Sequence, residues 1–285
     1  MREIKKVCVI GAGQMGKQIA LNTAIYGYSV FLTDSIPESV DKAAEWANGY
    51  MQERVAKGKL EKTAADAGLA NLHAEKDMDT AIKGSNLVIE AIIENEDIKS
   101  ELFKRVSKLV ADDTIITTNS STMPSSLFVN SVTHPERLAN LHYFNPALAM
   151  KLTEVVQGSH TSMDTVNALV EFSRKTGKDP IHLRKEINGF VYNRILGAVA
   201  SEALFLLEEG ISSPQEIDIA AEKGLNYPMG PFRLMDLTGI DLQYYIYKKK
   251  MDNGEKVPGY TLLEEKFKTK EWGRKTGKGW YNYSK

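Results

Sequence analysis

The chain has 285 residues, about twice a typical domain length, so two domains are expected. Hydrophobic residues make up 42% and charged residues 26%, a composition that excludes bulk disorder or coiled coil. Thirty-six Lys and Arg against 37 Asp and Glu leave a net charge of −1, so neither nucleic acid nor a membrane surface is expected as a partner. Residues 7–10, Val-Cys-Val-Ile, form a continuous apolar run that suits a strand buried on both faces of a parallel sheet. The charged start before it is followed by no signal-peptide core, and a cytoplasmic location is expected. Cys8, the one cysteine, allows no internal disulfide and no thiolate metal cluster. Gly11-Ala12-Gly13-Gln14-Met15-Gly16 comes next and reads G-x-G-x-x-G. A helical stretch ends at Gly27, and a second strand, 28–33, closes on Asp34.

This order of strand, glycine turn, helix, strand and acid is the dinucleotide fingerprint. One glycine permits the tight turn, one lets a pyrophosphate approach the backbone, and one lets helix and strand pack closely. The helix start offers free N–H groups and partial positive charge to phosphate. Asp34 accepts hydrogen bonds from ribose hydroxyls and repels a 2′-phosphate, which favours NAD over NADP.

Residues 37–68 interrupt the β-α-β rhythm. A long helix is expected over Pro37–Ala56, with Ser35 and Glu38 at capping-box spacing, then a basic turn around Lys57 and a short helix. This insertion is either a plain helical hairpin or a clamp for an anionic substrate. A buried-type strand follows at 87–93, ending in Glu94, then an amphipathic helix over 96–110. A strand at 114–118 empties into Asn119-Ser120-Ser121-Thr122. Ligands of open α/β sheets bind beyond the carboxyl ends of strands, where Glu94 and residues 119–122 would lie. Ordinary turn chemistry is the other reading of those residues.

Strands are expected at 138–144 and Leu152–Val156, joined around Asn145-Pro146, with a final strand at 180–183. If those two strands are neighbours, Glu154 reaches the imidazole of His142. Imidazole titrates near neutrality and is the usual base for an alcohol proton. A carboxylate behind it fixes its tautomer and steadies the imidazolium. His73, His134, His160 and His182 lack such a context and read as surface or loop residues. No H-E-x-x-H, C-x-x-C or compact acid cluster is present, so no metal site is expected.

After Glu186 the pattern turns helical. Phe190, Val191, Ile195, Val199, Ala203 and Leu206 follow helical spacing. The most apolar stretch, 195–207, is broken by Ser201 and Glu202 and is shorter than a bilayer crossing requires. Ser213-Pro214-Gln215-Glu216 is a capping box, Gly224 suits a helix end, and another helix is expected over 232–250. The expected fold is α/β, a doubly wound, mostly parallel sheet with a helical insertion over residues 1–186, plus an all-α domain over 187–285. The apolar stripe of the second domain suits burial against a twin subunit, and core packing explains it nearly as well.

Across these motifs the chain resembles the L-3-hydroxyacyl-CoA dehydrogenases, and within them the bacterial 3-hydroxybutyryl-CoA dehydrogenases. The likeness is carried by the glycine fingerprint, Glu90-Ala91-Ile92-Ile93-Glu94-Asn95 and Leu141-His142-Tyr143-Phe144-Asn145-Pro146. It continues through Asn188-Gly189-Phe190-Val191-Tyr192-Asn193-Arg194, Tyr227-Pro228-Met229-Gly230-Pro231-Phe232 and Gly273-Arg274-Lys275-Thr276-Gly277-Lys278-Gly279. The resemblance implies a Rossmann domain, a helical dimerisation domain, NAD as cofactor and a short 3-hydroxyacyl-CoA as substrate. It also implies a homodimer or higher homo-oligomer through the C-terminal domain. His142 matches the family's catalytic histidine and Glu154 its carboxylate partner. Ser121 and Asn193 match residues that hydrogen-bond the reacting oxygen and help orient nicotinamide or acyl group. Asp34, Glu94, Lys99, Asn119, Asn145 and Lys275 match the cofactor side, with Gly11, Gly13, Gln14, Met15 and Gly16. Lys57 falls where the family places a lysine near CoA, which makes the insertion the CoA arm.

Three departures bear on CoA affinity and chain-length preference. Asn119-Ser120-Ser121-Thr122-Met123 stands for the common Asn-Thr-Ser-Ser-Leu, Tyr50 for a serine of some members, and Tyr143 for a frequent phenylalanine. Two other readings are carried: a related dehydrogenase of a free hydroxy acid, of sugar-acid or carnitine type, and a non-catalytic NAD-binding protein.

Overall fold

The computed structural model describes residues 3–284. The chain divides into two compact units, the first running through Val191 and the second from Tyr192 on. Each is described by itself.

The first unit opens with β1 (Lys6–Ile10), α1 (Gln14–Ile25) and β2 (Ser29–Thr33), the fingerprint order. Gly27 ends the helix in the left-handed region, at φ 88°. Then come α2 (Pro37–Ala56) and α3 (Lys62–Ala70), the helical insertion, and two elements that the sequence pattern did not announce: β3 (Leu72–Ala74) and α4 (Met78–Ile82). β4 (Leu87–Glu90), α5 (Glu96–Leu109) and β5 (Ile115–Thr118) restore the alternation. β6 (Leu138–Tyr143), β7 (Leu152–Val156), α6 (Met163–Lys175) and β8 (Asp179–Leu183) complete the unit.

The strands form one eight-stranded sheet in the order β3-β2-β1-β4-β5-β6-β7-β8. Every neighbouring pair is parallel except β6 and β7, which run antiparallel with His142 opposite Glu154. β1, β4 and β5 are buried along nearly their whole length, as strands covered on both faces must be. One face packs Val7, Val9, Ile19, Leu141 and Phe172; the other packs Cys8, Val88, Phe103 and Phe128. α2 and α3 carry a small core of their own around Leu21, Ala47, Met51 and Ala65.

The expected capping box at Ser35 and Glu38 is not formed. Ile36 holds the N-cap position of α2 without a side-chain bond, and the Ser35 hydroxyl lies 3.4 Å from Asp34 Oδ1. The helix starts at Pro37, one residue later than a Ser35 cap requires, and the Ile36 amide is held by Asp34 Oδ1 instead. Of the other four histidines, His73 is exposed on β3, as a surface residue should be, whereas His182 is half-buried within β8.

The second unit is helical. α7 (Phe190–Glu208) begins in the last residues of the first unit, and α8 (Pro214–Ile219) starts on a complete Ser213/Glu216 capping box. A π-helical turn, Ala220–Gly224, continues α8, so Leu225 and not Gly224 caps its end. The helix expected over 232–250 is two helices, α9 (Pro231–Thr238) and α10 (Ile240–Asp252), because Gly239 adopts φ 106° between them. α11 (Tyr260–Lys268) follows. At 19 residues, α7 is longer than the apolar stretch read from the sequence and meets the length and composition of a bilayer crossing. Arg194 and Glu202 interrupt it. Leu204, Phe232, Ile240, Tyr247 and Leu263 form the core of the unit.

Candidate active site

The glycine turn joins β1 to α1, and its three glycines do three different things. Gly11 takes φ 111°, and a Cβ there would fall 2.4 Å from the Ala91 carbonyl oxygen. A Cβ on Gly16 would fall 1.6 Å from the Gly11 carbonyl oxygen, so any side chain would force the helix off the turn. A Cβ on Gly13 would meet nothing within 4 Å. Gly13 is the N-cap of α1 and no side chain caps it. The first-turn amides around Gln14 and Met15 therefore face open space, which is what a pyrophosphate requires. Asp34 at the end of β2 ties the turn down: Oδ2 accepts from the Ala12 amide at 2.7 Å and Oδ1 from the Ile36 amide at 2.9 Å. A carboxylate has about four acceptor positions, so capacity for ribose hydroxyls remains. The residues present fit NAD.

Across the turn, the ends of β4 and β5 build a polar cluster. Glu90 is fully buried; Oε1 accepts from Lys99 Nζ at 2.6 Å and the Ile92 amide at 2.7 Å, and Oε2 from Thr118 Oγ1 at 2.6 Å. Lys99 is buried as well and reaches Glu94 Oε2 at 3.1 Å. Glu94 also accepts from the Ser120 hydroxyl and from Thr122 Oγ1 at 2.7 Å. Burial works to raise the Glu94 pKa, but the Ser120 and Thr122 hydroxyls and the Lys99 ammonium outweigh it and hold the carboxyl below its ordinary value. The departure from the family's hydroxyl order is thus explained locally, since Ser120 and Thr122 both serve Glu94. Ser121, between them, takes no partner among the described residues and is half-buried. Asn119 is spent on the scaffold, its Oδ1 accepting from the Tyr143 amide at 2.8 Å.

The antiparallel pairing of β6 with β7 sets the next group. His142 Nδ1 lies 2.8 Å from Glu154 Oε2, with side-chain exposures of 7% and 0%. Glu154 Oε1 accepts from the Val191 amide at 3.0 Å. The imidazole is bracketed by Phe144 and Phe190, with ring centroids 4.5 Å and 5.6 Å away. A buried carboxylate bonded to Nδ1 assigns the ring proton to that nitrogen and leaves the lone pair on Nε2. Tyr143, the departure beside it, buries its ring in the sheet core and points away from this pair, as strand alternation demands. Asn145 follows on the connector, where its Oδ1 accepts from Gln18 Nε2 at 3.3 Å.

The remaining sequence-matched residues lie on other elements. Asn193 lies on α7 in the second unit. Lys275 also belongs to that unit, paired with Asp241 at 2.6 Å. Lys57 ends α2 and is ion-paired with Glu53, both 58% exposed. Tyr50, on the same helix, stacks on Trp46 with centroids 5.5 Å apart, and Lys17 Nζ sits 4.6 Å from the Trp46 ring. Sequence reasoning missed Glu90 and Gln18, although an acid ending an apolar β4 was a visible signal for the first. Gln18 is 3% exposed and bonds both Asn145 and the Gln14 carbonyl, bridging the glycine helix to the connector.

Residues 6–187 match the profile of the 3-hydroxyacyl-CoA dehydrogenase NAD binding domain, and residues 189–283 that of the 3-hydroxyacyl-CoA dehydrogenase C-terminal domain. The chain is 34% identical to 3-hydroxybutyryl-CoA dehydrogenase of Clostridioides difficile, over 98% of this chain and 100% of that protein. The crystal structure of (S)-3-hydroxybutyryl-CoA dehydrogenase from Ralstonia eutropha superposes with a TM-score of 0.89 at 33% identity, covering 99% of this chain and 100% of the other. That of 3-hydroxybutyryl-CoA dehydrogenase from Escherichia coli K12 gives 0.92 at 33% identity; there the chain spans 60% of a longer protein. The chain belongs to the 3-hydroxyacyl-CoA dehydrogenase family of NAD-dependent oxidoreductases.

Proposed function

We propose that the chain interconverts a short-chain 3-hydroxyacyl-CoA, 3-hydroxybutyryl-CoA, with its 3-oxoacyl-CoA, acetoacetyl-CoA, using His142 as general acid and base and Glu154 as its partner. The 2.8 Å contact between Nδ1 and a fully buried carboxylate carries this reading. Bound NAD supplies the acceptor or donor of the C3 hydride. In oxidation, Nε2 of His142 takes the hydroxyl proton, and Glu154 stabilises the resulting imidazolium without itself being protonated. In reduction, the same nitrogen returns the proton to the carbonyl oxygen. The Ser121 hydroxyl donates to the charge developing on that oxygen. Phe144 and Phe190 keep water from the imidazole.

The cofactor is held by the open first-turn amides of α1 and by Asp34, Glu94 and Asn145. The hydroxyacyl thioester is bound through its CoA by α2 and α3, with Lys57 facing a phosphate. The insertion with Lys57 speaks against the rival substrate, a free hydroxy acid; turnover of acetoacetyl-CoA against a free 3-oxo acid decides between them. A second copy of the chain covers Ile195, Phe205 and Ile211, which are 59%, 41% and 67% exposed in the described chain. Light scattering on the purified protein tests that. A cytoplasmic location, tested by fractionation, suits a chain whose one cysteine is unpaired.

The deciding experiment is His142→Gln, assayed by NADH absorbance with acetoacetyl-CoA. A loss of ~10²–10⁴-fold in kcat with NADH still bound is expected. Near-normal turnover would remove His142 from the reaction.

A further inference from the structure

Lys178 stands between α6 and β8 and is 5% exposed. Its Nζ donates to the Met150 carbonyl at 3.0 Å and to the Ala147 carbonyl. Burial pulls its pKa below the ordinary lysine value, and among the described residues no charged neighbour opposes that shift. Sites of this kind are expensive, since an ammonium taken out of water is normally paired with an anion. An apolar chain of equal length would fill the same space at no such cost. What the ammonium adds is a bond to two carbonyls at once.

Both carbonyls belong to residues 144–151, the connector that joins β6, carrying His142, to β7, carrying Glu154. The connector folds into a turn in which the Ala149 and Met150 amides donate to the Pro146 carbonyl at 3.0 and 2.9 Å. A turn of this kind leaves its later carbonyls without donors, and Lys178 gathers two of them. The other supports are Gln18 on Asn145, Leu148 against the core of the helical insertion, and the Asp179 amide on the Lys151 carbonyl at 2.8 Å. Lys178 alone among these fixes the middle and the end of the turn together.

We propose that Lys178 is a positioning residue, whose ammonium clamps the 144–151 connector in the shape that presents Asn145 to NAD. The proposal rests on the cofactor-side reading of Asn145 given above. It acts through backbone carbonyls and touches neither substrate nor cofactor. Losing the clamp therefore loosens the connector while leaving the sheet pairing of His142 with Glu154 in place.

The test uses full-length Lys178→Met, Asn145→Ala and the double variant, read by amide hydrogen exchange and by fluorescence titration with NADH. In Lys178→Met, connector amides exchange about tenfold faster while β6 amides keep their rates, and the Kd for NADH rises about tenfold. In the Asn145→Ala background the same substitution changes Kd less than twofold, because both act through one contact. Unchanged exchange or unchanged Kd in Lys178→Met, beside a normal loss in Asn145→Ala, overturns the role of Lys178. Normal NADH affinity in Asn145→Ala alone overturns the assignment of Asn145, and the functional half of the proposal with it. Full additivity in the double variant overturns positioning through Asn145. Should the methionine variant not fold, Lys178→Gln, which keeps a shorter neutral donor, takes the same assays with a smaller loss expected in both readouts.

Discussion

His142–Glu154 and Lys57–Glu53 are both a basic nitrogen against a carboxylate, and the fold treats them in opposite ways. The first spans two strands in fixed register, and its carboxylate is fully buried. The second joins residues four apart on one helix, with both side chains 58% exposed. Water and salt screen an exposed pair of this kind, so Lys57 exchanges Glu53 for another anion at little cost. A buried pair gains little net stability from the pairing, but losing one partner strands the other. Rigidity thus belongs to the proton-handling pair, and availability to the lysine proposed to meet a phosphate.

Removing the buried carboxylate should have the largest effect. Glu154→Gln loses the tautomer control of His142 and the anchor of the Val191 amide, and kcat should fall by ~10²–10⁴-fold in the NADH-linked assay. A loss below tenfold would mean that the imidazole works without its partner. Lys57→Ala should raise KM for acetoacetyl-CoA by less than about fivefold and leave kcat unchanged. A rise of a hundredfold would break the contrast, giving an exposed lysine the weight of a buried one.

Glu94 lies between the two, half-exposed yet held by Lys99 and two hydroxyls. Its folded-state pKa lies below the ordinary carboxylate value of about 4.3, so its contribution to stability is present above that pH and is lost as the pH falls through the folded value. Glu94→Gln should accordingly flatten the acid side of the melting-temperature curve below about pH 4.5, and change it little at neutrality. An unaltered acid slope would show that the cluster does not depend on this charge.

What could be read in advance follows the range of the forces involved. The glycine turn is local, and so is the short connector between the strands at 138–144 and Leu152–Val156, which is why β1, α1 and the His142–Glu154 partnership were legible. Gly239 sits in an otherwise helical pattern and gave no sign that its φ would split one helix into two. Ser35 had the correct spacing for a cap, but α2 starts one residue too late for it to serve. Lys99 is reached only through the family resemblance and Lys178 not at all, because the partners of these buried lysines lie in other elements. Such long-range polar contacts leave no periodic trace.

The single thiol offers a practical return. Cys8 is fully enclosed in β1, and burial pushes its pKa up to about 12, so almost no thiolate exists at neutral pH in the folded chain. A disulfide reagent can therefore modify it only when the central strand comes apart. The rate of that labelling is a clock for opening of the strand that feeds the glycine turn, and it needs no added probe.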